Sequence, residues 1–424
     1  MRCFWRCDFN RAGLNPLVSQ NSIFLLDGLA KRKGTGARHY GLVGVGTIFA
    51  AGLFGLCLPA QAQPSGAAEG TPVATNYQGL RTTNSYQPLP IQVGGAAVAP
   101  PAVHVVDIDD DLRWNYRIDP FYKKTLISAG VVIVGSDRVS DWAFLEAANT
   151  LDHQLHDSPD WVRDALTTNK VRLDILAVVE YTMDLPENHR RPRTTAEAAF
   201  QDRRSRGLGG LPDCSCAEEN LLNLRGDSYG GDGSPNSGEN ITIHEFSHTV
   251  ASAIGRYQGR NGAFWTALRK AFADANAPGG RLAVFNQNRR GRVYASTDEQ
   301  EYWAEGAQAW FDLARTNNSG GLRVRDDVKQ KDPELAALLT EIYGDGPWRY
   351  HKTTAKDADG KPMRPPDELA HLEGLDAVRG QFPVYSVRNS PRVIALAREN
   401  AARDAAPTPA ATNAAAPTSQ GTQR

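Results

Sequence analysis

Two histidines four residues apart with a glutamate beside the first, His244-Glu245-Phe246-Ser247-His248, constrain this chain more than any other feature. On an α-helix, residues i and i+4 stand one turn above each other. Both imidazoles then share a face and can grip one metal ion, with Glu245 on the neighbouring side, within reach of a water. The surrounding residues ask for that helix. Ile243, Phe246, Val250, Ala253 and Ile254 form an apolar stripe, while Ala251 and Gly255 leave room on the histidine side. Asn240 can serve as N-cap and Gly255 as the stop. An H-E-x-x-H arises by chance in about one chain in a hundred of this length, and the helical context weighs against coincidence.

Two histidines leave a catalytic zinc site one protein ligand short, because such sites usually hold three plus water. The continuation H-x-x-G-x-x-H fails: Ala251 and Ile254 stand where the glycine and third histidine would be, and no further histidine follows until His351. A carboxylate from a later helix is therefore expected, with Glu301 as the best candidate, 53 residues after His248. Glu301, Glu305 and Gln308 fall on one face of that helix, with Trp303, Ala307 and Trp310 on another. Two carboxylates one turn apart on an otherwise aromatic helix are costly to bury without a positive partner. Zinc with its imidazole shell is such a partner, one carboxylate binding the metal while the other accepts a ligand histidine's N–H. The plainer alternative is a surface helix with solvated acids.

At this point the chain resembles a known group. H-E-x-x-H paired with a downstream Tyr294-x6-Glu301-x3-Glu305 is similar to the anthrax lethal factor-type zinc metallopeptidases, to which the Pro-Pro endopeptidases are related. Both aromatics of that group's E-aromatic-aromatic-A-E motif are present, as Tyr302 and Trp303. The specific matches lie between residues 244 and 305, and a looser likeness covers about 120–345. The interval between the two motifs is slightly long for the group, which places an insertion around 286–292. The resemblance implies a gluzincin-like zincin fold, with a small mixed sheet packed on the active-site helix and a mainly helical C-terminal lobe. It implies one Zn²⁺ per chain held by His244, His248 and Glu301, with Glu245 as general base, Tyr294 as donor to the oxyanion and Glu305 behind the ligands. The implied reaction is hydrolysis of a peptide bond in a peptide or protein substrate by a zinc-activated water. Two rivals stand beside it: a catalytically inactive envelope-binding protein on the same fold, and a zinc amidase acting on cell-wall peptides.

The rest of the chain reads as α+β, with strands first and helices later. Residues 131–134 are an apolar, β-branched run expected to form a buried strand. Ser140 can cap a helix carrying Trp142, Leu145, Ala148, Leu151 and Leu155, and Pro159 opens a second helix through Leu166. Residues 171–181 read as a long strand, placed at the sheet edge, where an extended peptide can add as a further strand. Residues 186–240 read as loop, rich in Pro, Gly, Asn, Asp and arginine. Helices are expected at 241–255, 262–275, 299–315 and around 333–343. Cys214 and Cys216 would sit in the loop, either as two thiols or as a strained, redox-active C-x-C bridge, while zinc ligation by the pair lacks further ligands nearby.

The ends speak of location. An uncharged stretch over 41–62 follows the basic cluster Lys31, Arg32, Lys33, Arg38 and closes with Ala60-Gln61-Ala62. That is the pattern of an export signal cleaved after Ala62, although an uncleaved stretch of ~20 apolar residues also suits a membrane anchor. The expected divisions are a signal (1–62), a Pro/Ala/Gly-rich linker or propeptide (63–115), a catalytic domain (116–395) and an Ala/Pro/Thr tail (396–424). The mature chain would be periplasmic or secreted, with no membrane span once the signal is removed. Residues 1–62 hold seven Lys/Arg against two Asp/Glu, leaving 40 against 46 and a net charge of −6 for the remainder. Such a chain has no electrostatic case for nucleic-acid binding.

Overall fold

The computed structural model describes residues 78–351, apart from 94–95, 190–193, 225–226, 228, 230–237, 260, 288 and 290. The expected export signal, the start of the linker, residues 352–395 of the expected catalytic domain and the tail lie outside the described residues. Within them the protein is a mixed α+β structure, a sheet followed by a run of helices.

The folded part begins earlier than the composition of 63–115 predicts. A hairpin of β1 (Ile91–Val93) and β2 (Ala96–Val98) is followed by β3 (Val106–Asp107) and α1 (Asp110–Tyr116). Asp109 caps α1 by accepting from the Leu112 amide. The segment before β3 is tied down by polar contacts and by Leu80, Tyr86, Val103 and Val105, which pack against the main core. Tyr86 Oη donates to Asp152 Oδ2 at 2.9 Å and the Leu89 amide donates to the same oxygen at 2.6 Å. Gly79 and Leu80 exchange backbone hydrogen bonds with Asp137 and Asp141. The described residues of 78–115 thus pack on the rest of the fold, through hydrogen bonds to buried carboxylates together with partly buried apolar side chains.

The main sheet has six strands in the order β3-β4-β5-β6-β8-β7. β4 (Lys124–Ser128) and β5 (Val131–Gly135) form an antiparallel hairpin. The chain crosses through α2 (Asp141–Leu155) and α3 (Asp160–Thr168) to β6 (Arg172–Leu176), which pairs parallel to β5. Ser140 caps α2 as expected. After α4 (Thr195–Arg204), β7 (Gly207–Leu208) runs antiparallel to β8 (Asp213–Ala217), and β8 lies parallel to β6. Along β5, Val131 and Ile133 enter the main core while Val132 and Val134 enter a second cluster on the opposite face. An unbroken apolar run is what a strand buried on both sides requires.

Two expectations are corrected here. The strand read over 171–181 is only five residues long, and it is interior, flanked by β5 and β8. Its apolar run continues to 179 because Val178 and Val179 are buried in the turn that follows, not because the strand goes on. The edge strands are β3 and β7. Cys214 and Cys216 are also not in a loop: they occupy alternate positions of β8, point into the main core and are free thiols. Burial pushes both thiols up, Cys216 to about 12.

The remaining elements are helical: α5 (Glu218–Leu221), α6 (Ile241–Gln258), α7 (Ala263–Asn276), α8 (Arg281–Asn286), α9 (Glu299–Trp310), α10 (Thr316–Ser319), α11 (Arg325–Lys331) and α12 (Pro333–Tyr343). α6 packs on β8 and on α9, and the main core fills the space between the sheet, α2, α6, α7, α9 and α12. α6 passes through Gly255 to Gly259, where φ is +87°. Gly255 is a packing position rather than a stop: a Cβ there would collide with the Trp265 indole, whose Nε1 donates to the Ala251 carbonyl at 3.0 Å. α9 ends at Trp310, short of 315, because Asp312 turns left-handed (φ +63°) and the Leu313 amide folds back to the Gln308 carbonyl. No helix among the described residues is long and apolar enough to cross a membrane.

Candidate metal centre

The two helices that the motifs predicted are pinned at their N-termini by side chains next to the motifs. Asn240 accepts from the Ile243 amide at 3.0 Å, and Asn220 on α5 accepts from the Ile241 amide at 2.6 Å. Asp298 caps α9 by accepting from the amides of Gln300 and Glu301. Trp303, fully buried, donates from Nε1 to the Ser247 carbonyl at 3.0 Å and so fixes α9 against the middle of α6. Local capping sets where each helix starts, and the aromatic face of α9 sets which side turns toward the histidines.

That side carries Glu301. Its Oε2 lies 3.1 Å from His244 Nε2 and 3.3 Å from His248 Nε2, and the two Nε2 atoms are 3.2 Å apart. Three ligand atoms of a tetrahedral zinc site, each about 2.0–2.1 Å from the ion, stand about 3.3 Å from one another. The observed triangle has that size, and its donors are two imidazole nitrogens and one carboxylate oxygen, a set zinc accepts. The residues present therefore fit the metal that the motif implies. The solvated-acid alternative does not hold for Glu305, which is buried, and Glu301 is only partly exposed.

Charge in the cluster is strongly coupled. Burial pulls His244 down, but hydrogen bonding to Glu301 and the charges of Glu245, Glu305 and Glu301 outweigh it and push the imidazole up to about 10. Burial raises Glu301, yet hydrogen bonds and charge from His244 and His248 hold its carboxyl well below the usual range. Both shifts reflect the carboxylates crowded around the two imidazoles. Glu305 is pushed up to about 8 by burial, opposed by the His244 charge and reinforced by Glu239 and Glu301.

Each predicted residue has a definite place. Glu245 lines the same cavity of about 490 Å³ as His244, His248, Glu301, Glu305 and Tyr294. Tyr294 sits on a single turn of 3-10 helix, stacked on His244 with ring centroids 6.1 Å apart, and its hydroxyl donates to Glu301 Oε1 at 2.7 Å. The other Glu301 oxygen is thereby left for the histidine side. Glu305 lies behind His244, but its nearer oxygen is 3.9 Å from Nδ1, beyond hydrogen-bonding reach. The nearer partner of His244 Nδ1 is Gln308 Oε1, at 3.3 Å.

Sequence reasoning missed the cavity's other walls. Gly207 and Leu208 of β7 line it, together with Gly209. A Cβ on Gly207 would come within 3.1 Å of Glu245 Cγ, and one on Gly209 within 2.5 Å of His248 Cβ. Only glycine lets the edge strand lie this close to the helix. Across the cavity, Asn318 donates to Glu239 Oε1 at 2.6 Å, with Arg315 3.5 Å from the other oxygen. No spacing in the sequence links Glu239, Arg315 and Asn318, which meet only through the return of the chain after α9.

No protein family model matches this sequence, and no curated protein does. Among solved structures, the Pro-Pro endopeptidase PPEP-2 from Paenibacillus alvei aligns over 49% of this chain and 96% of its own, with 16% identity and a TM-score of 0.31.

Proposed function

We propose that the chain is an exported zinc-dependent metallopeptidase with a zincin-like fold. The observation that carries the reading is the triangle of His244, His248 and Glu301 ligand atoms, 3.1–3.3 Å on each side, with Glu245 lining the same cavity. When bound there, Zn²⁺ supplies Lewis acidity, lowering the pKa of water towards neutrality and polarising a carbonyl.

The chain's own groups divide the remaining work. Glu245 takes a proton from a water in the cleft and returns it to the leaving nitrogen. Tyr294, whose side of the cavity is open (37% exposed), exchanges its hydrogen bond to Glu301 for one to the oxygen that gains charge. Contacts of that kind contribute on the order of 3 kcal/mol. β7 and Gly209 line the cavity beside Glu245 and His248, so an extended substrate would lie along them, a role expected of 171–181. Export rests on the basic cluster, apolar stretch and Ala-x-Ala of residues 31–62.

Replacing Glu245 with Ala tests the assignment. Zinc content should stay at one per chain while peptide hydrolysis falls by about 10²–10⁴-fold. Turnover at the wild-type rate with zinc bound would remove Glu245 from the reaction.

A further inference from the structure

Resting on the metallopeptidase reading, we infer that Gln308 is a positioning residue: it holds His244 with the proton on Nδ1 and so turns the Nε2 lone pair toward the metal. The resemblance gave the place behind the ligands to Glu305. The geometry gives the contact with His244 to the residue one turn further along α9.

The amide's orientation follows from what surrounds it. Gln308 is fully buried, and its Nε2 lies 3.3 Å from the Asn240 carbonyl oxygen, which can only accept. The amide nitrogen must therefore face Asn240, which leaves Oε1 facing the imidazole at 3.3 Å from Nδ1. An amide oxygen accepts and does not donate, so Nδ1 carries the proton. Nε2 is then the atom left to bind a cation.

Glu305 does not do this. One of its oxygens is 3.9 Å from Nδ1, and the other has no hydrogen-bond partner among the described residues. Nor does His248 have an equivalent, since its buried Nδ1 has no partner among them either. Of the two histidines, His244 is the one whose tautomer the fold sets. Gln308 also touches α6 twice, at the Asn240 carbonyl of the cap and at the His244 ring, so the rotation of α9 is read against the first turn of the histidine helix. Partners of this kind typically change metal affinity by about 10–100-fold.

Two substitutions separate the contacts. Gln308→Met removes both, whereas Gln308→Glu keeps an acceptor for Nδ1–H and loses the donor to Asn240. Zinc affinity is measured by competition with a chelating dye, and the thermal midpoint is measured on the metal-free proteins. Gln308→Met should bind zinc about 10–100-fold more weakly than wild type, and its activity should be restored by added zinc with KM unchanged, since Gln308 is buried behind the cavity and does not line it. Gln308→Glu should lower the metal-free midpoint yet hold zinc within about threefold, because the acceptor remains. If Gln308→Met fails to fold, Gln308→Asn, polar but a methylene too short to reach the ring, carries the same expectation. Wild-type zinc affinity in the Met or Asn variant overturns the inference, as does a loss in Gln308→Glu as large as in Gln308→Met. A wild-type protein that binds no zinc refutes instead the metallopeptidase reading on which the inference rests.

Discussion

Gly209→Ala is a substitution whose sign depends on one contact. Gly209 has no left-handed φ, so in open space an added methyl would stabilise the protein by about 0.4–1 kcal/mol through the unfolded chain. Here that methyl would stand 2.5 Å from His248 Cβ and 2.7 Å from the Glu245 carbonyl oxygen. Carbon contacts settle at about 3.5–4.0 Å, so the segment after β7 must retreat by about 1 Å from the turn of α6 that carries the histidines. Neither neighbour is a free side-chain end. Overpacking of this kind costs about 1–3 kcal/mol, leaving a net loss of roughly 0.5–2.5 kcal/mol after the entropic gain. At about 2–4 °C per kcal/mol for a domain of this size, the thermal midpoint should fall by about 1–10 °C. On the proposed function, a displacement of about 1 Å in this cavity wall should also lower kcat/KM by up to about 10²-fold. Gly279→Ala is the control: φ is +86° and nothing lies within 4 Å, so it loses stability through φ alone and leaves kcat/KM unchanged. The experiment needs differential scanning calorimetry and a peptide that the wild type cleaves. A rise in midpoint with unchanged kcat/KM for Gly209→Ala would mean that the edge strand does not lie against the histidine helix.

Two further outcomes follow from groups far from the histidines. Burial pushes Asp174 and Glu218 each up to about 8, whereas unfolded carboxyls titrate near 4. Between those values the folded state holds more protons on these two groups than the unfolded one, so their contribution to stability should fall as pH rises from about 4 to about 8 and level off above. Urea unfolding at pH 5 and pH 8.5 measures the drop, which should shrink in Glu218→Gln; a slope equal to wild type in that variant would contradict the buried, neutral Glu218. Tyr86→Phe removes the hydroxyl that donates to Asp152 and should cost about 1.5–3 kcal/mol, the range for a bond to a charged group. An unchanged urea midpoint would show that the Tyr86–Asp152 bond adds nothing to stability.

The parts of this fold that the sequence showed are those set within one or two turns of chain. Asn240 and Ser140 cap helices through amides two or three residues away, and the apolar stripe of α6 repeats at helical spacing. Burial on both faces made β5 an unbroken apolar run. What stayed hidden depends on partners distant in sequence. β8 reads Asp-Cys-Ser-Cys-Ala, which has no β-branched residue, and it is a strand because β6 and β7 flank it. β7 is glycine-rich because the histidine helix lies against it, and in a lone sequence that need looks like a loop. The hold on residues 78–90 comes from Asp152 and Asp141, more than fifty residues away, so their composition could only say that they lack a core of their own.

The choice between Glu305 and Gln308 shows how far helical spacing alone reaches. Both follow Glu301 on one face, and a carboxylate looks the better partner for an imidazole N–H. A residue four positions on overshoots the starting azimuth by about 40°, whereas one seven positions on returns to within about 20°. Gln308 therefore lies more nearly above Glu301, two turns along the axis, and the His244 ring bridges them, with Nε2 on Glu301 and Nδ1 on Gln308. Glu305, off that line and between them, ends 3.9 Å from Nδ1. Chemistry favoured the acid, but azimuth and the crossing of α6 over α9 decide which group arrives. A neutral amide there also avoids a second carboxylate in hydrogen-bonding contact with a histidine that already faces Glu301, at a point where burial has pushed Glu305 up to about 8.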